Sequence, residues 1–443
     1  MTELKEKTHS LIDNHSTIEA ILATLGPDSY RVLRQSALAR FQAVGIPTHK
    51  DEEWRFTPLN IVRETEYRPA YGSIVSREQF ESTPVGKVDA ATCVFVNGED
   101  APELTIARSL PQGVFVGTLM EAWNEVPEVL SDWFGKVATL EGKLGSTNDE
   151  RFVHLNTAYL GEGLVVYVPK NTVVEDPIHL AFLSKADHGA FAAFPRVLIV
   201  VGENSQAKIL ESYVGMDGAY FNCPVTEVVL GAGAILEHDR FQRETLESAH
   251  IANLAVHQES GSTYTSNNIS FGGAVARIDL NVWVNGEHAE TWLNGAYVAT
   301  GNQIADSHTR IDHAKPNCNS FEVYKGVMAD RGQGIFNGKI FVYEDAQKTD
   351  AKQTNQAILL SPTASIETKP QLEIFADDVK CTHGATVGQI KEEAKFYLRS
   401  RGIPERDAEA LLIYAFAAEV IEKIAIDEVR ESLAQLLSAK LNA

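Results

Sequence analysis

The stretch RVLIVVGENSQAKIL at 196–210 carries the pattern on which the fold prediction depends. A short run rich in β-branched residues, RVLIVV, ends at Gly202, and the polar segment that begins there leads at once into the run QAKIL. Short apolar runs of this composition, bounded by turn residues, are typical of β-strands. We therefore predict two strands joined by a tight turn.

Similar turn-then-strand pieces recur along the chain after the one at Gly202. GAGAIL starts at Gly231, GSTYTS at Gly261 and GEHAETWL at Gly286, so the intervals are similar without being identical. Between about 150 and 385 there is almost no helical periodicity. A loose period of roughly 20 to 50 residues, made of strands without helices, is typical of a solenoid or a propeller.

No WD or kelch signature is present, so we favour a parallel β-helix, in which each coil stacks its inward aliphatic residues on the next. A β-sandwich or jelly roll is the structural alternative, because it also consists of short strands.

Helical patterns flank this region on both sides. Before it, apolar residues recur at helical spacing from Tyr30 to Val44, Gly45 ends the run, and Trp54 and Phe56 indicate a segment anchored by its aromatics. After it, Thr386 with Gln389 predicts a capping box. We therefore predict three domains: a helical and mixed domain over 1–150, a β-helix core over 151–385 and a helical domain over 386–443.

Composition and charge exclude several classes of function. The 443 residues carry a net charge of −21, which argues against nucleic-acid binding, because that requires clustered Lys and Arg. No apolar run is long enough to span a bilayer and the N-terminus lacks a signal-peptide core, so a cytoplasmic location is expected. The four cysteines are widely separated, which fits neither a disulfide framework nor a self-contained zinc or iron–sulfur site.

The most suggestive pair of residues lies in PQLEIFADDVKCTHGATVGQ at 370–389. If Val379 to His383 is extended, Cys381 and His383 are next-but-one neighbours and point to the same face of a strand. A thiolate and an imidazole can both ligate a soft or borderline metal, but two ligands do not complete a site. From the sequence alone, the pair fits a buried cysteine and a hydrogen-bonded histidine better than it fits a metal site.

Other candidate motifs are weaker. In GQGIFNGKI at 332–340 the glycine spacing is wrong for a phosphate loop, and Ile340 stands where Ser or Thr should bind magnesium. His308, His313 and Cys318 are ligand types at intervals of five, which in a strand places alternate members on opposite faces. No set of Ser, His and Asp suggests hydrolysis.

The second helix of the C-terminal region has two apolar stripes, one on each side. One stripe contains Ala408, Leu411, Leu412, Ala415 and Ala418, and the other contains Ile413, Phe416, Val420 and Ile424. A tail as short as 386–443 has difficulty covering both faces, so either the rest of the chain or a partner covers the second stripe.

Long segments of the sequence resemble the SufB/SufD family of iron–sulfur cluster assembly scaffolds. The resemblance is carried by the segment from His313 to Gly402, by GIPTHKDEEWRFTPL at 45–59 and by LVVYVPKNTVVEDPI at 164–178. Two features separate the chain from the SufB branch. Thr354 stands where that branch has a cysteine in a QCDS-like stretch, and Gly384 rather than Glu follows His383.

The resemblance implies a right-handed parallel β-helix between helical regions and a non-catalytic role in a complex with SufB and two copies of the ATPase SufC. It implies that a transient iron–sulfur cluster or iron is held at the SufB interface by His383 and Cys381 with ligands from SufB, and that none is tightly bound by the isolated chain. It places the SufC contact on the C-terminal helices. The side chains expected there are Leu411, Ile413, Phe416, Val420 and Ile424.

Two alternatives remain open at this point. The first is an inert homodimeric scaffold, in which Cys381 and His383 have no role. The second is a carbohydrate-active enzyme, because parallel β-helices also serve as polysaccharide lyases and hydrolases. No membrane or nucleic-acid partner is expected.

Overall fold

The computed structural model describes residues 26–70, 72–138, 150–424 and 426–442, together with the separate positions 11, 15, 18, 19 and 22. Strands account for 41% and helices for 23% of the fold, which is a β-solenoid of about eight turns with helices before and after it. The mainly-β solenoid prediction is confirmed, and the sandwich alternative is excluded because the stacked strands are parallel rather than antiparallel.

Helices flank the solenoid, and a 3-10 turn at Glu52–Trp54 follows α1. Within the described ranges from residue 26 onward, the helices are α1 (Asp28–Val44), α2 (Asn60–Glu64), α3 (Arg77–Glu81), α4 (Leu119–Glu125), α5 (Pro127–Trp133), α6 (Arg151–Ala158), α7 (Glu392–Ser400), α8 (Glu405–Ile421) and α9 (Asp427–Asn442). Gly45, the residue after α1, has a φ of 67°, which agrees with the predicted end of this helix.

The strands form two sheets that face each other across the solenoid interior. The first sheet contains β1 (Arg68–Pro69), β4 (Phe115–Thr118), β5 (Leu164–Val168), β7 (Phe191–Ala193), β8 (Arg196–Val201), β10 (Tyr220–Asn222), β11 (Val225–Leu230), β13 (Ala249–Gln258), β15 (Val275–Val284), β17 (Ile304–His313), β19 (Gln333–Val342) and β21 (Ser365–Ile374). The second contains β2 (Ala91–Val96), β3 (Glu99–Asp100), β6 (Ile178–Lys185), β9 (Gln206–Asp217), β12 (Ile235–Arg243), β14 (Thr263–Ser270), β16 (Glu290–Ala299), β18 (Asn319–Met328), β20 (Asp350–Leu359) and β22 (Lys380–Gly388).

The length of one coil can be read from the register of stacked strands. Val275 pairs with Ile304, and Ile304 with Gln333, so these two coils are equal in length. The coil from Ala249 to Val275 is shorter than they are, and the coil from Gln333 to Ser365 is longer. The loose period in the sequence therefore reflects coils of unequal length.

The recurring glycines mark corners where successive coils approach closely. A Cβ on Gly286 would lie 1.9 Å from the backbone nitrogen of Ser260, and a Cβ on Gly231 would lie 2.8 Å from that of Glu203. Only glycine permits this approach without a backbone shift. Hydrogen bonds join one corner to the next, as from Asn204 N to Ala232 O over 2.9 Å.

Helices and loops cover the outer faces of most coils. On the first sheet, the N-terminal segment buries Trp54 and Phe41 against Phe221 and Ile251. On the second, α8 packs across β14, β16 and β18. The two sheets also extend into the segment before residue 150, because β2 pairs with β6 and β4 pairs with β5.

One local prediction is wrong. Thr386 and Gln389 do not form a capping box, because β22 continues through Thr386 to Gly388 in register with β20, and α7 begins only at Glu392. Thr386 is paired in register with Gln356 in the strand ladder instead. No helix in the described parts of the chain has the length and apolar character needed to cross a bilayer.

Candidate assembly site at the open end of the solenoid

The last coil of the solenoid has no other described coil stacked upon it. Among the strands that the structure describes, β21 pairs only with β19, and β22 pairs only with β20. Most residues of β22 are exposed, in contrast to the buried strands of earlier coils. An unpaired edge of this length exposes a row of backbone donors and acceptors that a second chain could bind.

Cys381 and His383 lie on this last strand. Cys381 pairs in register with Ala351, which pairs with Ser320, and both of these are buried. His383 pairs in register with Gln353, which is also buried. In-register residues of a sheet point the same way, so both candidate ligands are on the inward face of β22, at the mouth of the solenoid interior.

The two side chains differ in their surroundings. Cys381 is half-buried and packs against an apolar cluster that includes Ile340 and Ala351. Burial raises the pKa of its thiol, and the nearby Asp350 carboxylate raises it further. The thiol is therefore protonated at neutral pH, and a bound metal or a cation must lower its pKa before it can act as a ligand. His383 is exposed and open to solvent.

Within the described residues, no group of three or more His, Cys, Asp or Glu side chains is arranged to hold a metal ion. Cys381 and His383 therefore supply two donors, one sulfur and one nitrogen. A four-coordinate metal would need the remaining ligands from another molecule.

The sequence reasoning missed the buried residues behind this site. Glu322 pairs in register with Gln353, and Gln353 with His383, so the three form one inward-facing column. Gln353 Nε2 donates a hydrogen bond of 2.7 Å to Glu322 Oε2. The alignment of the three residues depends on the exact coil lengths, which the sequence does not show. The only signal in the sequence is that Glu322, an acidic residue, stands at an inward position of a strand.

His308, His313 and Cys318 are not brought together. His308 lies on the outer face of the first sheet, where its Nε2 is 3.1 Å from Asp306 Oδ1. His313 is buried with its Nε2 2.9 Å from Ser320 Oγ, and burial lowers its pKa to about 4. Cys318 is buried, and its thiol donates to the carbonyl of Gly286. All three are engaged in the chain's own packing.

The structure divides the five side chains predicted to bind a partner on the C-terminal helices. Ile413, Val420 and Ile424 are buried in a cluster with residues of the second sheet, so the rest of the chain covers that stripe and these three are inaccessible in this conformation. Leu411 is 52% exposed. Phe416 is half-buried, with Lys325 Nζ 4.7 Å from its ring centroid.

Helices α7 and α8 nevertheless carry exposed apolar side chains. Helix α7 has no buried residue, and its Phe396 and Tyr397 are 72% and 57% exposed. Helix α7 packs beside α8, which carries Leu411 and the partly exposed Tyr414. We call Phe396, Tyr397, Leu411 and Tyr414 the helical patch. Exposed apolar side chains on two neighbouring helices make this region a candidate interaction surface.

These features define a parallel β-solenoid protein with an open end that carries two metal-ligand types and a separate apolar patch on its C-terminal helices. Two family models match the chain: the SufBD protein N-terminal region over residues 5–180, and the SufBD core domain of the SUF system of FeS cluster assembly over residues 182–416. The chain therefore belongs to the SufBD family of iron–sulfur cluster assembly proteins.

Individual relatives agree with this assignment. The chain is 31% identical to the iron–sulfur cluster assembly protein SufD of Escherichia coli, over 100% of this chain and 99% of that protein. It is 33% identical to a SufBD family protein of Synechocystis, over 92% of this chain and 90% of that protein. It is 32% identical to the chloroplastic protein ABCI7 of Arabidopsis thaliana, over 90% of this chain and 83% of that protein.

Proposed function

We propose that this chain is a non-catalytic scaffold subunit that builds or receives a nascent iron–sulfur cluster at its interface with SufB, in a complex driven by the ATPase SufC. The observation that carries the proposal is the open last coil, on which Cys381 and His383 share the inward face. Iron and sulfide are the cargo of this site.

The incomplete ligand set supports a shared site. Cys381 and His383 provide two donors, and SufB would supply the others when it covers the unpaired edge of β22. The interface would also exclude water from the half-buried thiol, and the positive charge of iron would lower its raised pKa enough to form the thiolate.

The helical patch supports the SufC contact. Its exposed side chains, rather than the buried Ile413, Val420 and Ile424, would meet the ATPase. Helix α8 is also tied to the second sheet, because its Glu419 pairs with Lys325 of β18. Just after α8, Lys423 Nζ donates to Asn294 Oδ1 of β16 over 2.7 Å. Movement of the helices by SufC would therefore act on β16 and β18, close to the open end.

The net charge of the chain limits the kinds of partner that the complex can bind. A net charge of −21 disfavours binding to nucleic acid and to anionic lipid surfaces. We accordingly propose that the partners are proteins, and we retain the cytoplasmic location expected from the sequence as part of the proposal. Self-association through the open end, giving an inert homodimer, is the competing function.

The test is co-expression of this chain with its cognate SufB and SufC, purification through a tag on this chain, and anaerobic assay of iron and sulfide. His383→Ala should lower both while the partners remain bound. Thr382→Ala is the matched control, because Thr382 is an exposed neighbour on the opposite face of the same strand.

Three results would count against the proposal. If neither SufB nor SufC co-purifies and sizing shows a dimer of this chain alone, the inert-scaffold function is correct. If the complex forms and His383→Ala retains full iron and sulfide, His383 has no part in the site. An equal loss in Thr382→Ala would mean that any change on β22 disturbs the interface.

A further inference from the structure

The column behind His383 contains polar groups that the fold does not require. Glu322 and Gln353 are both about 1% exposed, in the interior of a solenoid otherwise lined largely by apolar side chains. Burial of a carboxyl and an amide is unfavourable unless every polar atom has a partner. Gln353 Oε1 lacks a hydrogen-bond partner among the residues that the structure describes.

The orientation of the Gln353 amide follows from its neighbour. Its Nε2 donates to Glu322 Oε2, which lies one coil further inside. The amide nitrogen is therefore directed toward Glu322, and the amide oxygen is the atom left without a partner within the described chain. The next residue of the column, toward the open end, is His383.

The opposite sheet leaves room for this amide. Thr309, Gly338 and Pro370 form the matching column on the first sheet. A Cβ on Gly338 would lie 2.2 Å from Gln353 Nε2 and 2.7 Å from its Cδ. The amide thus occupies space that is available only because residue 338 is a glycine, so it is held on two sides.

We propose that Gln353, anchored by Glu322, is a positioning residue for His383: its Oε1 accepts a hydrogen bond from one ring N–H and leaves the other ring nitrogen free to bind iron. Neighbouring strands lie about 4.8 Å apart, so an amide and an imidazole in register are within reach of each other. Metal-bound histidines usually donate their second N–H to such an acceptor, which fixes the tautomer and the ring orientation. This inference rests on the proposed function of His383.

Coverage of the open end by SufB would complete the arrangement. His383 is exposed in the uncovered chain, so no neighbouring chain confines its ring there. A partner strand on β22 would confine the ring to the column and direct its N–H to Gln353. The buried acceptor, Gln353 Oε1, is thus already in place in the free chain, whereas the ligand, His383, becomes ordered only in the complex.

The experiment uses the complex of this chain with SufB and SufC, titrated anaerobically with Fe(II) alone in competition with a chelator. Gln353→Met keeps the shape of the side chain and removes the acceptor. We expect it to weaken iron binding by about 10–100-fold, the range observed when a hydrogen-bond partner of a ligand is lost. Glu322→Leu should weaken binding similarly, whereas Glu322→Gln retains an acceptor for Gln353 Nε2 and should retain affinity.

Asn355→Leu is the matched control. Asn355 is the next inward-facing residue of β20 and is equally buried, but it pairs in register with Ala385 instead of His383. Its amide bonds Thr368 Oγ1 over 2.9 Å. This variant loses a buried amide and a comparable amount of stability, and its complex should bind iron with wild-type affinity.

The outcomes separate this inference from the proposed function. If His383→Ala weakens iron binding and Gln353→Met does not, the positioning role is wrong and the function stands. If His383→Ala has no effect, the proposed function itself fails. Equal losses in Gln353→Met and Asn355→Leu would also overturn the inference, because the effect would then reflect stability. Should Gln353→Met not assemble, the comparison of Glu322→Leu with Glu322→Gln decides the question in the same way.

Discussion

The guanidinium of Arg277 lies over the indole ring of Trp54, with its Cζ 3.8 Å from the ring centroid. Trp54 belongs to the N-terminal segment and Arg277 to β15, so the contact ties that segment to the middle of the solenoid. Arg277 is also paired with Asp279 at 2.8 Å and with Asp306 at 3.1 Å. A cation–π contact that is shielded from water in this way contributes about 2 kcal/mol.

Trp54→Ala should therefore strongly destabilise the chain. It removes a large side chain that is 1% exposed and leaves Arg277 without its aromatic neighbour. We expect the free energy of unfolding to fall by about 3–5 kcal/mol, measured by chemical denaturation. Phe56→Ala is the control in the same segment, since Phe56 is 40% exposed and its loss should cost less than about 0.5 kcal/mol. Equal effects of the two variants would contradict the anchoring role of Trp54.

Glu322 should make stability depend on pH. Burial raises its pKa to about 7, although Thr309 and Gln353 act to lower it. An unfolded glutamate titrates near 4.5, so between pH 4.5 and 7 the folded chain retains a proton that the unfolded chain loses. This stabilising contribution is complete below pH 4.5 and is lost as the pH rises through 7.

Glu322→Gln removes that dependence. We expect the variant to exceed the wild type in free energy of unfolding by about 3 kcal/mol at pH 8, and by nothing at pH 4. Denaturation midpoints of both proteins across this range provide the measurement. A difference that does not change with pH would show that the carboxyl does not titrate in this window.

Gly338→Ala should disturb the column behind His383 from the opposite sheet. The added Cβ would meet the Gln353 amide at 2.2 Å, so the side chain must move, at a cost of about 1–3 kcal/mol. Gly384→Ala is the control, because a Cβ there meets nothing within 4 Å although Gly384 adjoins His383. Thermal unfolding of the two variants should differ accordingly, and a stable Gly338→Ala protein would mean that Gln353 has another place to go.

The helical patch should be required for capture of SufC and not for folding. Phe396→Asp and Leu411→Asp place charges on exposed positions, and we expect SufC to be lost from the purified complex while SufB is retained. Val420→Ala tests the other side of α8, where the fully buried side chain should cost about 0.5–3 kcal/mol of stability. Retention of SufC by both charged variants would place its contact elsewhere.

The solenoid could be predicted from the sequence because its signal is local and repeated. Each corner needs a glycine or a tight turn, and each strand needs a short apolar run, so the period is visible without knowledge of the pairing. The strand that contains Cys381 and His383 entered the sequence interpretation only as a condition, and the structure confirms it from Lys380 onward. The end of that strand was predicted wrongly, because Thr386 and Gln389 match a helix cap locally while the register with β20 extends the strand to Gly388.

The remaining features could not be predicted, because they depend on which residues of distant segments pair or pack together. That Glu322, Gln353 and His383 share a column depends on the exact lengths of two coils, in a solenoid whose coils are unequal. Likewise, the two stripes of α8 are plain in the sequence, but the sequence does not say that the chain's own second sheet covers Ile413 and Val420.

The stacking of coils also sets a gradient of stability along the molecule. Each coil in a solenoid is held mainly by its two neighbours, and the last coil has only one among the described strands. Amide hydrogens of β21 and β22 should therefore exchange fastest among the stacked strands, by opening that leaves the inner coils folded. Cys381 and His383 thus lie on the segment whose local opening costs the least free energy. A partner can therefore reshape the coil that carries them without unfolding the protein.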